Sequence, residues 1–283
     1  LARAHVAGTV MAETETLESV LQLAPVDDYV EEMQDALEAV GAAHLQALEA
    51  HGLHWDGAVI RQSEGLSRYQ DALEALKQLG ATFYCNCSRR SLKALGPYPG
   101  TCRTKQRDPA DAAIRVRVDG QPVAFSDLVA GPMEEVLGDT VGDFIIRRRD
   151  GLIAYQLATA VDDGADQITR VIRGNDLLDN TGRQIYLMKL LGLSPPRYGH
   201  IPTLLNRDGQ KLSKQTHAPA LDNRQPAANL SRILPALGIT PPADAHSDTP
   251  ESLLGWAADN FSLSAIRASS PPGQKAATLS YRL

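Results

Sequence analysis

Hydrophobic and polar positions change period several times along this chain, and the changes mark its elements. Residues 9–52 place apolar side chains at helical spacing with little β-branched alternation. SEGLSRYQDALEALKQL, residues 63–79, reads as an amphipathic helix capped by Ser63 and ended by Gly80. From Thr82 to about Val141 the chain carries its cysteines and many prolines, with strand-like AAIRVRV at 112–118. This stretch predicts an insertion between two halves of a larger unit. DFIIRRRDGLIAYQLATAVDD, residues 143–163, then sets two apolar runs around an Asp150-Gly151 turn, and β structure is expected to resume there. ITRVIRGNDLL leads into helical TGRQIYLMKLLGL, and GHIPTLLN forms a further strand candidate that ends in a lysine-bearing loop.

Strand, helix, strand and then a loop at the strand's end is the layout of a doubly wound α/β nucleotide-binding fold. The expected organisation is a first half at 1–81, an insertion at 82–142, a second half at 143–215 and a helical, turn-rich tail at 216–283. That tail is too short for a further β-barrel domain.

At 283 residues and 43% hydrophobic the chain can bury a core, so disorder is not expected. No window approaches the ~18 uninterrupted apolar residues of a membrane span, and no basic-then-apolar leader opens the sequence. These features predict a cytoplasmic protein with no membrane partner. The net charge of −6 is unevenly spread. Residues 1–55 hold ten acids against Arg3 alone, whereas the later chain carries basic clusters at Arg89-Arg90-Lys93, Arg103-Lys105-Arg107 and Arg147-Arg148-Arg149. Such clusters suit a phosphate backbone, although solvated surface is the commoner use of each.

The three cysteines, Cys85, Cys87 and Cys102, fall within 18 residues in CNCSRRSLKALGPYPGTC. In a cytoplasmic chain this density suggests a metal site more than a disulfide framework. Zinc takes four donors in a tetrahedron, and no histidine lies between Cys85 and Cys102. Tyr98, on a Gly-Pro-Tyr-Pro-Gly turn, or a water could be the fourth; three reduced cysteines without metal are the alternative.

NRDGQKLSKQTHAPAL, residues 206–221, brings Lys211 and Lys214 into one loop. KLSKQ resembles the KMSKS signature of class I aminoacyl-tRNA synthetases, whose loop closes over ATP. Ammonium groups there suit the negative charge that grows on phosphoryl oxygens as a carboxylate attacks the α-phosphate.

GLHWDG, Gln62-Ser63 followed by Tyr69, the cysteine set with Tyr98, RRRDGLIAYQLA, VIRGNDLL, RQIYLMKLLGL, HIPTLLN and KLSKQTHAPAL together resemble the glutamyl-Q tRNA(Asp) synthetases, truncated paralogues of glutamyl-tRNA synthetase. The resemblance spans residues 41 to 240. It implies a class I synthetase Rossmann-like catalytic domain with a zinc-binding insertion and no anticodon-binding domain. It also implies that L-glutamate is adenylated with ATP, Mg2+ accompanying it, and esterified to queuosine in tRNA(Asp). By the same resemblance Tyr98 joins Cys85, Cys87 and Cys102 around structural zinc, Tyr155 and Arg173 bind glutamate, and Lys214 contacts ATP, with Lys211 beside it as a catalytic lysine. A monomer is expected.

The first forty residues depart from the family pattern. They hold no RFAPSPTG-like strand, and HVAG stands where a HIGH-type signature belongs. Ungapped continuation from Gly41 puts His5 on the signature's first histidine, toward ATP, and Glu31 on the glutamate that grips the substrate amino group; Tyr29 replaces the arginine of that motif. This departure predicts low activity. The alternatives are a catalytically impaired, synthetase-like RNA-binding module, and a glutamyl-tRNA synthetase fragment, which the lack of anticodon-reading length disfavours.

Overall fold

The computed structural model describes residues 27–92, 96–205, 210–212, 220–245, 248–269 and 279–280. The chain divides into two compact units, one of residues 60–201 and one joining 1–59 to 202–283.

In the first half helix α1 runs Asp27–Ala50, agreeing with the helical spacing over that stretch. The unit at 60–201 opens with a 3-10 turn, Gln62–Gly65, before α2 at Leu66–Gln78. No side chain caps either start. The expected Ser63 cap is therefore not formed, and Gln62 is used in a tertiary contact instead. Helix α2 buries Tyr69, Ala72, Leu73 and Leu76, one face at i, i+3, i+4 and i+7. Gly80 closes it in the left-handed region, φ +65°, which glycine adopts without a Cβ penalty.

Strands β1 (Thr82–Cys85), β2 (Ala113–Val116) and β5 (Ile145–Arg147) form an antiparallel sheet in the order β1-β2-β5. The sheet thus joins both ends of the cysteine-bearing segment to the chain that follows it. Between β2 and β5, β3 (Val123–Asp127) and β4 (Gly131–Glu135) make an antiparallel hairpin.

The apolar run after Gly151 does not form a second strand. It makes only a bridge from Ile153 to Arg147 and then winds into α3, Tyr155–Ala165. Leu157, Ala158, Ala160 and Val161 are buried along α3, a helical pattern that a short apolar run cannot distinguish from a strand.

The expected strand–helix–strand layout is present downstream. Strand β6 (Arg170–Gly174) passes through a 3-10 turn at Asn175–Leu177 into α4 (Leu178–Leu190) and returns as β7 (Arg197–Ile201), parallel to β6. Helices α3 and α4 pack on each other, and the β3 strand packs on β7.

In the other unit, β8 (Leu204–Leu205) pairs in parallel with β9 (Leu279–Ser280) and is bridged to Lys211. Helices α5 (Pro226–Ile233), α6 (Pro250–Asp259) and α7 (Leu263–Ser269) follow in the same unit. Its core gathers Leu230, Leu234, Ile239, Ala245 and Leu253. Asn229 donates to His51 Nε2 at 2.9 Å, tying α5 to the end of α1. No helix among the described residues is long and apolar enough to cross a membrane.

Candidate active site and cysteine cluster

Arg173 stands near the end of β6, directly opposite His200 in the parallel register. Its Nε donates to His200 Nε2 at 3.0 Å, and its Nη2 donates to Thr181 Oγ1 at 2.9 Å and Gln184 Oε1 at 2.8 Å, both on α4. The guanidinium carbon lies 5.3 Å from the Tyr198 ring centroid. All these partners are uncharged side chains, and among the described residues no carboxylate pairs with Arg173. A half-buried arginine held by neutral groups keeps its full charge for an external anion.

Tyr155 is the first residue of α3 and is half-buried. Both it and Arg173 bear on Tyr198: burial and Asp163 push the Tyr198 phenol well up, Arg173 draws it down and Tyr155 adds to the rise. Tyr155 and Arg173 both belong to the unit at 60–201.

Helix α3 is anchored two turns beyond Tyr155. Asp162, buried, accepts from Gln62 Nε2 at 2.7 Å, Arg68 Nη1 at 3.1 Å and the Tyr69 hydroxyl at 2.8 and 2.9 Å. Burial, then the bond to Asp162, push the Tyr69 phenol far above its ordinary value, so it stays a donor. This gives Gln62 and Tyr69, quoted above only as matched residues, a structural use.

The cysteines converge. The sulfurs of Cys85, Cys87 and Cys102 lie within 4.8 Å of one another. Tetrahedral zinc with sulfur ligands at about 2.3 Å spaces neighbouring sulfurs by about 3.8 Å. Cys87 and Cys102 Sγ are 3.6 Å apart, and the Tyr98 oxygen sits 3.4 Å from Cys85 Sγ. This donor set fits a tetrahedral metal ion. The Tyr98 hydroxyl also accepts the Cys102 backbone N–H at 3.0 Å. Burial alone would raise the Cys102 thiol, but hydrogen bonds with Tyr98, Arg107 and the other two cysteines bring it down to about 7.

The cluster is fastened from outside. The Arg115 guanidinium covers the Tyr98 ring at 4.0 Å and donates to the Asp143 carbonyl at 2.6 Å. Arg103, next to Cys102, forms an ion pair with fully buried Asp143, which also accepts the Val118 N–H at 2.9 Å. Tyr98 N–H donates to the Val141 carbonyl at 3.0 Å and Tyr98 bridges to Gly142. Gly142 has φ +72°, and a Cβ there would run into the Tyr98 backbone, so glycine is required twice over.

The basic clusters are partly taken up by neighbouring acids and, at Arg107, by a cysteine. Arg103 pairs with Asp143, Arg148 with Asp150 and Arg149 with Asp111, while Arg107 reaches Cys102 Sγ. Of the other sequence-derived site residues, Lys211 lies in the second unit as an exposed residue. Glu31 falls within α1, and its side chain is outside the described residues, as are Lys214 and His5. Asp127, His200, Asp162 and Asp143 carried no role in the sequence reading. Only His200 had a signal, its place in HIPTLLN.

Residues 98–241 match the family model of the class I tRNA synthetases (E and Q), catalytic domain. The chain belongs to that class of enzyme. Its curated relatives include glutamyl-Q tRNA(Asp) synthetases, and the chain is a ligase of that type. The protein of that name from Pseudomonas aeruginosa PAO1 is 46% identical over 230 residues, covering 80% of this chain and 78% of the relative. That from Pseudomonas fluorescens Pf-5 is 48% identical over 216 residues, covering 76% and 72%. That from Methylococcus capsulatus Bath is 44% identical over 234 residues, covering 82% and 76%.

The fold is similar to that of a glutamate tRNA ligase from Elizabethkingia meningosepticum CCUG26117, with TM-score 0.60 and 19% identity over 80% of this chain. It is also similar to that of glutamate-tRNA synthetase from Elizabethkingia anophelis, with TM-score 0.62 and 19% identity over 80% of this chain. This chain covers only 55% and 56% of those two solved chains.

Proposed function

We propose that this chain activates L-glutamate with ATP and transfers it to the queuosine base of tRNA(Asp). The observation that carries the reading is Arg173, whose charge meets no carboxylate partner among the described residues while Thr181, Gln184 and His200 hold two of its three nitrogens. Nη1, with no hydrogen-bond partner among the described residues, suits the side-chain carboxylate of glutamate. Tyr155 adds a directional hydrogen bond from a phenol. Glu31 would receive the substrate amino group.

The α-carboxylate attacks the α-phosphorus of ATP, and pyrophosphate departs as the adenylate forms. In this reading Lys214, with Lys211, stabilises the charge that develops on the phosphoryl oxygens, and His5 serves ATP binding. Mg2+ accompanies the nucleotide and offsets its charge. A hydroxyl of the queuosine cyclopentene ring then displaces AMP to give the ester. Zinc on Cys85, Cys87, Cys102 and Tyr98 supplies a structural cross-link and no reaction step. The relatives' printed names support the tRNA(Asp) specificity, and the family supports glutamate, ATP and tRNA as partners.

Glutamate-dependent ATP/pyrophosphate exchange, followed by glutamate transfer to tRNA(Asp) with and without queuosine, tests the reading. Transfer only to the queuosine-bearing tRNA is expected. Equal transfer to both would sink the specificity, and absence of exchange would sink glutamate activation by this chain.

A further inference from the structure

We infer that Asp127 and His200 are positioning residues for substrate recognition: the buried carboxylate fixes the tautomer of the imidazole, and the imidazole in turn aims Arg173 at the substrate. This rests on the reading of Arg173 as the glutamate-binding arginine.

Asp127 ends β3, a strand of the hairpin that packs on β7, so it reaches His200 from a different part of the chain. Its Oδ1 accepts three backbone N–H groups, Val129 at 2.9 Å, Ala130 at 2.8 Å and His200 at 3.2 Å. Its Oδ2 lies 2.6 Å from His200 Nδ1, and neither side chain is exposed. Burial alone would raise the Asp127 carboxyl, but the bond to His200 and the backbone N–H groups hold it below its ordinary range. An ionised carboxylate only accepts, so Nδ1 carries the ring proton. Arg173 Nε only donates, so Nε2 at 3.0 Å is bare. Thr181 Oγ1 also lies 3.1 Å from Nε2 and can donate its hydroxyl there, so the form that satisfies every partner is the neutral ring with its proton on Nδ1.

The consequence is directional. With Nε2 accepting Nε–H, and with Thr181 and Gln184 accepting from Nη2, the guanidinium plane is fixed, and Nη1 has no hydrogen-bond partner among the described residues. The Tyr198 ring stacks on His200 at 6.2 Å and 18°, limiting rotation of the imidazole. None of these residues needs to touch the substrate to set its binding.

Asp127→Asn separates aiming from packing. Because Oδ1 answers three backbone donors, the new amide must turn its nitrogen toward His200 Nδ1. The ring then carries its proton on Nε2, where it faces the Nε–H of Arg173, donor against donor. This change is expected to weaken glutamate binding about ten- to a hundredfold, with the ATP constant unchanged. His200→Gln, which can offer an acceptor to Arg173, should keep affinity within a few fold, whereas His200→Phe should lose it as Asp127→Asn does.

The experiment is calorimetric titration of the full chain and these variants with L-glutamate, together with 15N NMR of the histidine ring nitrogens. In the wild type His200 should show the Nδ1–H form, and in Asp127→Asn the Nε2–H form. Undiminished glutamate binding by a folded Asp127→Asn, or an Nε2–H ring in the wild type, overturns the inference. If Asp127→Asn does not fold, equal affinities of His200→Gln and His200→Phe overturn it instead. Arg173→Ala separates the two levels: if it leaves glutamate binding intact, the glutamate reading fails. A strong loss there beside an unaffected Asp127→Asn means that the relay alone is wrong.

Discussion

Arg173 and His200 face each other across the parallel β6–β7 pair, and their side chains repeat the pairing of their backbones, Nε to Nε2 at 3.0 Å. Strand register, rather than a flexible loop, therefore sets where the guanidinium lies. A side chain fixed in this way binds an anion without first losing its own rotational freedom.

Replacing the fork should hence cost more than replacing the charge would suggest. Arg173→Lys keeps one positive charge but cannot serve His200, Thr181, Gln184 and an external carboxylate together. We expect the KM for glutamate to rise about ten- to a hundredfold, with the KM for ATP little changed. Steady-state exchange kinetics with each substrate varied in turn would check this. An unchanged glutamate KM would remove Arg173 from the site.

Asp127 gives a pH signature in stability. Its folded pKa is held below the ordinary value, so the native state binds fewer protons than the unfolded chain near that value. Its contribution is full above the unfolded pKa of about 3.9 and is lost as pH falls through the folded value. The stability gap between wild type and Asp127→Asn should be constant from pH 7 to about 5 and should narrow below about 4. Urea unfolding at a series of pH values measures it, and a gap that widens in acid would contradict the assignment.

For the cysteine cluster we expect about one zinc per chain after purification through a weak chelator. Cys102→Ser should lose the metal, and Tyr98→Phe should retain it with lower affinity, because water can take the fourth position. Gly142→Ala should also weaken retention, since the Tyr98 backbone would have to move. Elemental analysis with thiol titration decides the matter: zinc-free wild type with three freely reacting thiols would refute it.

In the lysine loop, Lys214→Ala should reduce adenylate formation on the order of a hundredfold, with a smaller effect on glutamate affinity. Lys211→Ala should have the milder effect of the two. Single-turnover formation of the adenylate separates these variants, and a Lys214→Ala enzyme as fast as wild type would reassign the phosphate contact.

Asp162 tests the anchor of α3. Tyr69→Phe removes one of its donors inside the core and should destabilise the fold by about 1–2 kcal/mol. Asp162→Ala leaves Gln62, Arg68 and Tyr69 unanswered and should cost about 3 kcal/mol or more. Chemical denaturation provides the comparison; a neutral Asp162→Ala would show that the cluster contributes nothing to stability.

What could be read from the sequence was whatever leaves a local pattern. The spacing of Cys85, Cys87 and Cys102 announced a cluster, and the β6–α4–β7 unit showed itself in apolar runs separated by a helical stretch. IAYQLATAV was misjudged because its apolar residues satisfy both periods, and only packing on α4 decides for the helix. The buried acids left no trace. Asp127 meets His200 across 73 residues, Asp162 meets Tyr69 across 93 and Asp143 meets Arg103 across 40. An aspartate reads the same in the sequence whether it ends in water or in the core.

The anchor at Asp162 bears on any attempt to graft the proposed glutamate site into another scaffold. Tyr155 and Asp162 are seven residues apart on α3, which brings them back to nearly the same side of the helix about 10 Å apart along its axis. Transplanting Tyr155 and Arg173 alone would leave the helix free to roll, and the phenol would wander with it. The minimal transplant is larger: it includes Gln62, Arg68 and Tyr69, which meet Asp162 rather than Tyr155 and form the clamp that keeps Tyr155 in phase.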